Sequence, residues 1–307
     1  MKRKSYINKW TIVLVSVCIF ILAAEVYLRV ELGFCHAVLF REDKDFEYIP
    51  IPQQTKRLGN NIFYNSFSQR NEEISSKDSV VVLGFGDSVL NGGTQVDQDS
   101  LATTKLSRYL SSKAADSVKV LNVSSGSWGP DNCYAYLKKY GDFKARSMFL
   151  VMSSHDVYDT MSFEKIVGVN PSFPEKQYPF ALYELVDKYL LPKLIKRTSK
   201  NTSKDGRGID KKTENSVFNP GISNLYQYAK SKNIPFLIYL HADRDEFDNK
   251  RYSEEGQLLI TFCNENNIPL VKELDYNIGK EAYRDGIHLT DLGQGKMFEI
   301  LKDKITY

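Results

Sequence analysis

Four aliphatic residues in a row, Val80-Val81-Val82-Leu83, run into Gly84-Phe85-Gly86-Asp87-Ser88 and stop at a small-residue turn. A continuous apolar run of this length, ended by glycines, reads as a strand covered on both faces, and such strands belong to parallel sheets in α/β folds. Four more segments repeat the pattern: residues 118–123, 148–152, 235–240 and, more weakly, 268–271. Helical spacing separates them, in Leu101, Leu106 and Leu110 of residues 100–112, and again across 131–140 and 292–301. Alternating strands and helices predict a mainly parallel sheet with helices on both faces.

The chain divides by composition. Lys2, Arg3, Lys4 and Lys9 precede an apolar stretch over residues 10–24, which Val26-Tyr27-Leu28 extends, with Glu25 and Arg29 spaced to pair at i,i+4. A basic flank before a hydrophobic run is the pattern of a secretory signal or a signal anchor, and the basic end stays cytoplasmic. Leu22 occupies the outer position where a cleavable signal wants a small residue, so a retained anchor over 10–30 is favoured over a cleaved peptide. Residues 1–9 are then a cytoplasmic tail, and everything after the anchor lies outside the cytoplasm, in the periplasm or at the cell surface. Residues 31–77, rich in aromatics, Asn and Gln with Pro50 and Pro52, read as an extended arm. Residues 78–307 form the main domain. Within it, 178–195 has helical spacing, and 196–216, polar throughout, reads as a mobile loop able to overhang the active face.

Composition removes several function classes. With 42% apolar and 26% charged residues the chain is globular, and a net charge of +3 without a basic stripe gives nucleic acid no footprint. Cys18, Cys35, Cys133 and Cys263 lack metal-ligand spacing, so no metal is expected. Neither a phosphate-binding loop nor a dinucleotide fingerprint is present, so no cofactor is expected either.

What remains is serine chemistry. Ser88 stands at the carboxyl end of a predicted parallel strand, where open α/β sheets place their ligands, and the next helix aims its N–H groups nearby. Far downstream, Asp285-Gly286-Ile287-His288 puts a carboxylate three residues before an imidazole. Serine, histidine and carboxylate are a nucleophile, its base and the base's orienter. Plainer readings exist for each: Ser88 as a helix cap, Asp285 and His288 as an exposed turn, Asp87 as a turn-shaping residue. His241 reads as structural, and Trp128 could line a pocket.

Gly86-Asp87-Ser88 and Asp285-x-x-His288, in this order and at these places, resemble the first and last sequence blocks of the SGNH/GDSL hydrolases, over residues 80–307. The anchor and arm further resemble bacterial membrane-tethered members. The resemblance implies a three-layer αβα sandwich with a mainly parallel, flavodoxin-like sheet. It also implies a catalytic triad of Ser88, His288 and Asp285. The oxyanion hole would use the Ser88 N–H, a backbone donor at Gly126 (or Ser127 in a gapless alignment) and a side chain after the third strand. The family carries an Asn-Asp pair at that last place; here it is His155-Asp156, and His155 reads either as a substitute donor or as a structural histidine. The GxSxG elbow of α/β-hydrolases is absent around Ser88. The implied activity is hydrolysis of an ester, with acylated small molecules or polysaccharide as substrate and carbohydrate deacetylation as the favoured case. The alternatives are O-acyl transfer to a cell-surface polysaccharide, or a degenerate module that only binds.

Overall fold

The computed structural model describes residues 8–75, 78–198 and 217–307, with backbone alone at 78 and 195–198. Lys2, Arg3 and Lys4 of the basic tail, and residues 199–216 of the polar loop, lie outside the described residues. The chain opens with α1 (Lys9–Val30), capped where Asn8 accepts a hydrogen bond from the Trp10 N–H. Among the described residues it is the one helix long and apolar enough to span a membrane or to serve as a signal sequence. Two antiparallel hairpins follow, β1 (Phe40–Asp43) with β2 (Glu47–Pro50) and β3 (Gln53–Arg57) with β4 (Asn60–Tyr64).

Strand and helix then alternate. β5 (Asp78–Gly86) leads into the single turn of α2 (Ser88–Asn91) and on to α3 (Ala102–Lys113). β6 (Ser117–Ser124) precedes α4 (Pro130–Tyr140), and β7 (Ser147–Ser153) ends in a tight turn over Ser154–Val157. An excursion carries α5 (Ala181–Glu184), a wider π turn (Leu185–Leu190) and α6 (Leu191–Thr198), joined as one helical rod. α7 (Pro220–Ser231) feeds β8 (Phe236–His241); α8 (Arg244–Asn249) and α9 (Glu254–Asn266) lead to the short β9 (Leu270–Lys272), and α10 (Asp291–Leu301) closes the chain.

Among the described residues five strands pair in the order β6-β5-β7-β8-β9, all parallel. This is the flavodoxin-like order, and the predicted α/β class holds. Alternation splits each strand between two cores. Leu83, Phe85, Leu121, Leu150 and Ile238 face one layer with α4, α7 and α9. Val82, Val120, Phe149, Val151 and Tyr239 face the other, with α3 and α10. The hairpins join the first layer: Phe46 and Tyr48 are buried in it, and Trp128 lies edge-on to Phe46 with its indole N–H donated to the Tyr48 carbonyl. Trp128 is therefore a core residue and not a pocket wall, because the arm reaches across to cover it.

Helices α7, α8 and α9 have no counterpart in the sequence reading. α7 reaches α4 through glycine: a Cβ on Gly221 would stand 2.1 Å from the Asp131 nitrogen and 2.4 Å from the Pro130 carbonyl oxygen. Main-chain atoms cannot swing aside as a side chain does, so Gly221→Ala must push the two helices apart. The expected loss is about 1–3 kcal/mol in denaturant unfolding, with an unchanged m-value.

Candidate active site

The sheet order reverses between β5 and β7, so the loops after these strands diverge and leave a crevice at their carboxyl ends. Ser88 stands at that crevice as the first residue of α2. Asp87 before it caps the helix, its Oδ1 accepting from the Val89 N–H at 2.8 Å. The opposite wall is the hairpin-like turn that carries the distant motif, where Tyr283 bridges Leu289 and the Arg284 N–H donates to the His288 carbonyl. Within this turn the Asp285 carboxylate accepts from the Ile287 and His288 N–H groups at 3.0 and 2.8 Å. Asp-Gly sequences favour such side-chain-closed turns.

The turn brings His288 Nε2 to 3.0 Å from Ser88 Oγ, and places Nδ1 at 3.0 and 2.9 Å from the two Asp285 oxygens. All three residues singled out from sequence therefore meet. Burial opposes charge on Asp285, but the two backbone N–H groups and the imidazole outweigh it and hold the carboxyl at about 2. It is ionised at any pH where the imidazole could act as a base.

The remaining predicted residues fall as follows. Gly126 lies in the turn after β6, its carbonyl accepting from Tyr48 Oη at 2.9 Å. Neither its N–H nor that of Ser88 has a hydrogen-bond partner among the described residues. Ser127 follows with a φ of 55°. His155 sits in the turn after β7, more than half exposed, with Nε2 3.1 Å from Asp156 Oδ1. That contact is close enough for an ion pair but misaligned for a hydrogen bond, since Oδ1 accepts none among the described residues. No hydrogen bond joins His155 to Ser88 among the described residues.

Asp87, His155 and Asp156 form a second cluster that begins at the residue before Ser88, their ligand-type atoms within 4.8 Å of one another. By donor type, two carboxylates and an imidazole could hold a small divalent ion. The burial of the pair has a simpler answer in protons. Burial, then the neighbouring Asp156, lifts Asp87 to about 6, and burial lifts Asp156 to about 8 despite the Ser153 N–H donating to it. Two like charges this close cannot both persist in a buried site, so the pair retains a proton at neutral pH.

Two positioning elements stand beside the site; the sequence marks His241 only as structural and Arg70 not at all. His241, at the end of β8 and fully buried, contacts Glu273 Oε2 through Nδ1 at 2.9 Å and the Ile287 carbonyl through Nε2 at 2.8 Å. Both partners are acceptors, so the ring carries both protons. Burial resists this, but Glu273 prevails and raises His241 to about 9. Tyr239 and Tyr283 donate to the same carboxylate at 2.7 and 3.1 Å. The second element is Arg70, whose buried guanidinium donates to Gln98 Oε1 and to the carbonyls of Gly93 and Val96, fixing the loop after α2. Its only sequence signal is an arginine within a polar stretch, which ordinarily means solvent.

No family model matches the sequence, and no curated protein matches it. Solved structures of similar arrangement include a member of the lipolytic protein G-D-S-L family from Veillonella parvula DSM 2008. It is 13% identical, covering 72% of this chain and 95% of that one, with a TM-score of 0.38. The acetyl xylan esterase AlAXEase is 14% identical over 74% of this chain and 100% of its own, TM-score 0.44. Est24, a carbohydrate acetylesterase from Sinorhizobium meliloti, is 12% identical over 74% and 98%, TM-score 0.41. Likenesses this distant carry no weight on activity, and the functional reading stands on the site's own geometry.

Two pH responses follow from the buried groups. His241 has a folded pKa raised above its ordinary 6.5, so its contribution is fully present below that value and is lost as pH rises through about 9. His241→Gln should abolish the decline on the order of 1–3 kcal/mol that the wild type shows between pH 6.5 and 9, read by denaturant unfolding across that range. Asp156 is a raised acid, so its fold carries no penalty near pH 4 and a growing one up to about pH 8. Asp156→Asn should match the wild type at pH 4 and exceed it at pH 8 by on the order of a few kcal/mol in the same assay.

Proposed function

We propose that this chain is a membrane-tethered serine ester hydrolase of the SGNH/GDSL type, with Ser88 as nucleophile, His288 as base and acid, and Asp285 as orienter. One observation carries the reading: Ser88 Oγ at 3.0 Å from His288 Nε2, with the other ring nitrogen held by a carboxylate that stays charged. A serine hydroxyl is a poor nucleophile until a neutral imidazole at this distance takes its proton.

In the proposed reaction Ser88 Oγ bonds to the ester carbonyl carbon while its proton passes to His288 Nε2. The carbonyl electron pair moves onto oxygen, and the Ser88 and Gly126 N–H groups, with His155 as a third donor, receive that charge. His288 then gives its proton to the leaving alkoxide as the C–O bond breaks, leaving an acyl group on Ser88. Water repeats the sequence: its proton goes to His288, its oxygen to the acyl carbon, and the serine leaves with the proton returned. The proton retained by the Asp87–Asp156 pair favours this chemistry, because it removes one of two negative charges beside Ser88 that would oppose the developing oxyanion.

The substrate we assign is an acylated, most simply acetylated, carbohydrate outside the cytoplasm. This follows from α1 as a signal anchor with the catalytic domain beyond it. The shallow cleft along β9, lined by Leu237, Pro269 and Leu270, lies three strands from β5 and takes no part. Turnover of aryl acetates tests the triad. Ser88→Ala and His288→Ala should each lose at least a thousandfold in kcat/KM, order of magnitude, and Asp285→Asn less, roughly ten- to a thousandfold, since the ring remains but is poorly held. Full turnover in Ser88→Ala, or failure of the intact protein to react with a fluorophosphonate, would remove the hydrolase reading. Adding an oligosaccharide acceptor to the assay separates hydrolysis from acyl transfer: free acetate alone supports hydrolysis.

A further inference from the structure

The rod formed by α5, the π turn and α6 has two apolar sides. Its inner side, Ala181, Leu182, Leu185 and Tyr189, packs on Leu28, Phe34 and Cys35 at the end of α1. Its outer side carries Phe180, Tyr183, Val186, Leu190, Leu191 and Leu194, each 45–62% exposed. Apart from the adjacent pair Leu190 and Leu191, these positions advance by three or four residues along the rod, making one stripe. Soluble surfaces scatter large apolar side chains singly; a continuous stripe marks a contact.

What covers it is indicated by where the rod begins. Glu25 of α1 accepts hydrogen bonds from the Ala181 and Leu182 N–H groups at 2.8 and 2.9 Å, so an α1 side chain caps the rod. Arg29 donates to Glu25 and to the Pro179 carbonyl at 2.7 and 2.6 Å. Below this joint Arg57 pairs with Glu184 in a buried contact that also engages Tyr189, and the Cys35 N–H donates to Glu184. The start of the rod is thus fixed to the last turns of α1. If α1 spans a bilayer, Glu25 and Arg29 sit at headgroup depth, since a charged side chain at the hydrocarbon centre costs about 2.5–3.5 kcal/mol or more. The first turn of the rod is then at headgroup depth too.

We propose that the rod over residues 180–194 lies on the bilayer as an interfacial helix, its outer stripe seated among the lipid headgroups and upper acyl chains. Phe180 and Tyr183 occupy the aromatic-favouring boundary, and the leucines reach further in. The inference rests on α1 as the anchor and is independent of the catalytic assignment. The chain would touch the membrane at two places, and the second would fix the rotation of the domain about α1.

The test uses the full-length protein in phosphatidylcholine–phosphatidylglycerol vesicles, with an environment-sensitive fluorophore on one exposed cysteine at a time, Cys35, Cys133 and Cys263 being buried. Leu190→Cys, Leu194→Cys and a distant control, Glu265→Cys, are each made in a Cys18→Ser background, and the native Cys18 is labelled as a reference within α1. Circular dichroism and a cooperative denaturant transition report folding of each variant. The expected result is quenching of the 190 and 194 labels by shallow doxyl lipids, several-fold stronger than at 265, with protection from aqueous iodide. Labels at 190 and 194 as open to iodide as the one at 265, beside a deeply quenched Cys18, overturn the interfacial helix alone. A Cys18 label outside the hydrocarbon overturns the anchor and this proposal together. Protection that rises with protein density, without doxyl quenching, assigns the stripe to a second copy and overturns the lipid contact.

Discussion

The buried pair of His241 and Glu273 governs the geometry of the site. A serine and an imidazole 200 residues apart in sequence meet at 3.0 Å only if the turn bearing the imidazole is referenced to the sheet. His241 does this at the end of β8, one ring nitrogen on Glu273 and the other on the Ile287 carbonyl, next to His288 itself. Tyr239 and Tyr283 complete the shell around the carboxylate, so the charge pair is fully hydrogen-bonded, the condition under which a buried ion pair is tolerable. The turn inherits the rigidity of a strand.

Two clusters of charge around the nucleophile solve opposite problems. On the side of His288, charges of opposite sign are kept and spent on orientation. Beside Ser88, Asp87 and Asp156 lie close together without a basic partner in hydrogen-bond alignment, and one retained proton removes one of the two negative charges. His155 stands at the rim of this second cluster. Its ring reaches one of the two carboxyls at Asp156 Oδ1, 3.1 Å away, without a hydrogen bond among the described residues.

The sheet was legible because β7 and β8 are buried along their whole length and β5 carries the unbroken run Val80-Val81-Val82-Leu83, while β6 is interrupted by Lys119 and Asn122 and the half-buried β9 gives a weaker signal. The triad was legible because Ser88 and His288 stand beside local partners, Asp87 and Asp285, which make recognisable short patterns. Helices α7 and α9 were not: α7 carries Ile222, Leu225 and Ala229 at helical spacing but opens on Pro220-Gly221, which reads as a turn, whereas α9 buries Gly256, Leu259 and Cys263, two of them small, which leaves a weak apolar stripe. Their close approach to neighbours replaces side-chain bulk. Arg70 was illegible, and His241 legible only as a structural residue, for another reason. Each is satisfied by carbonyls or a carboxylate delivered from elsewhere in the chain, and nothing in the flanking residues announces those partners.

Arg70 also has a bearing on how far the catalytic unit extends. Its planar fork meets an amide oxygen and two carbonyls without any carboxylate, a set of acceptors that a lysine's single ammonium could not span. Through it, and through Tyr64 Oη on Asn91, the residues ahead of β5 hold the loop that follows the nucleophile. Phe46 and Tyr48 fill the same layer from further upstream. The segment between α1 and the sheet is thus built into the domain that holds Ser88 and His288, and a truncation that begins at β5 would release the loop after Ser88 along with removing α1.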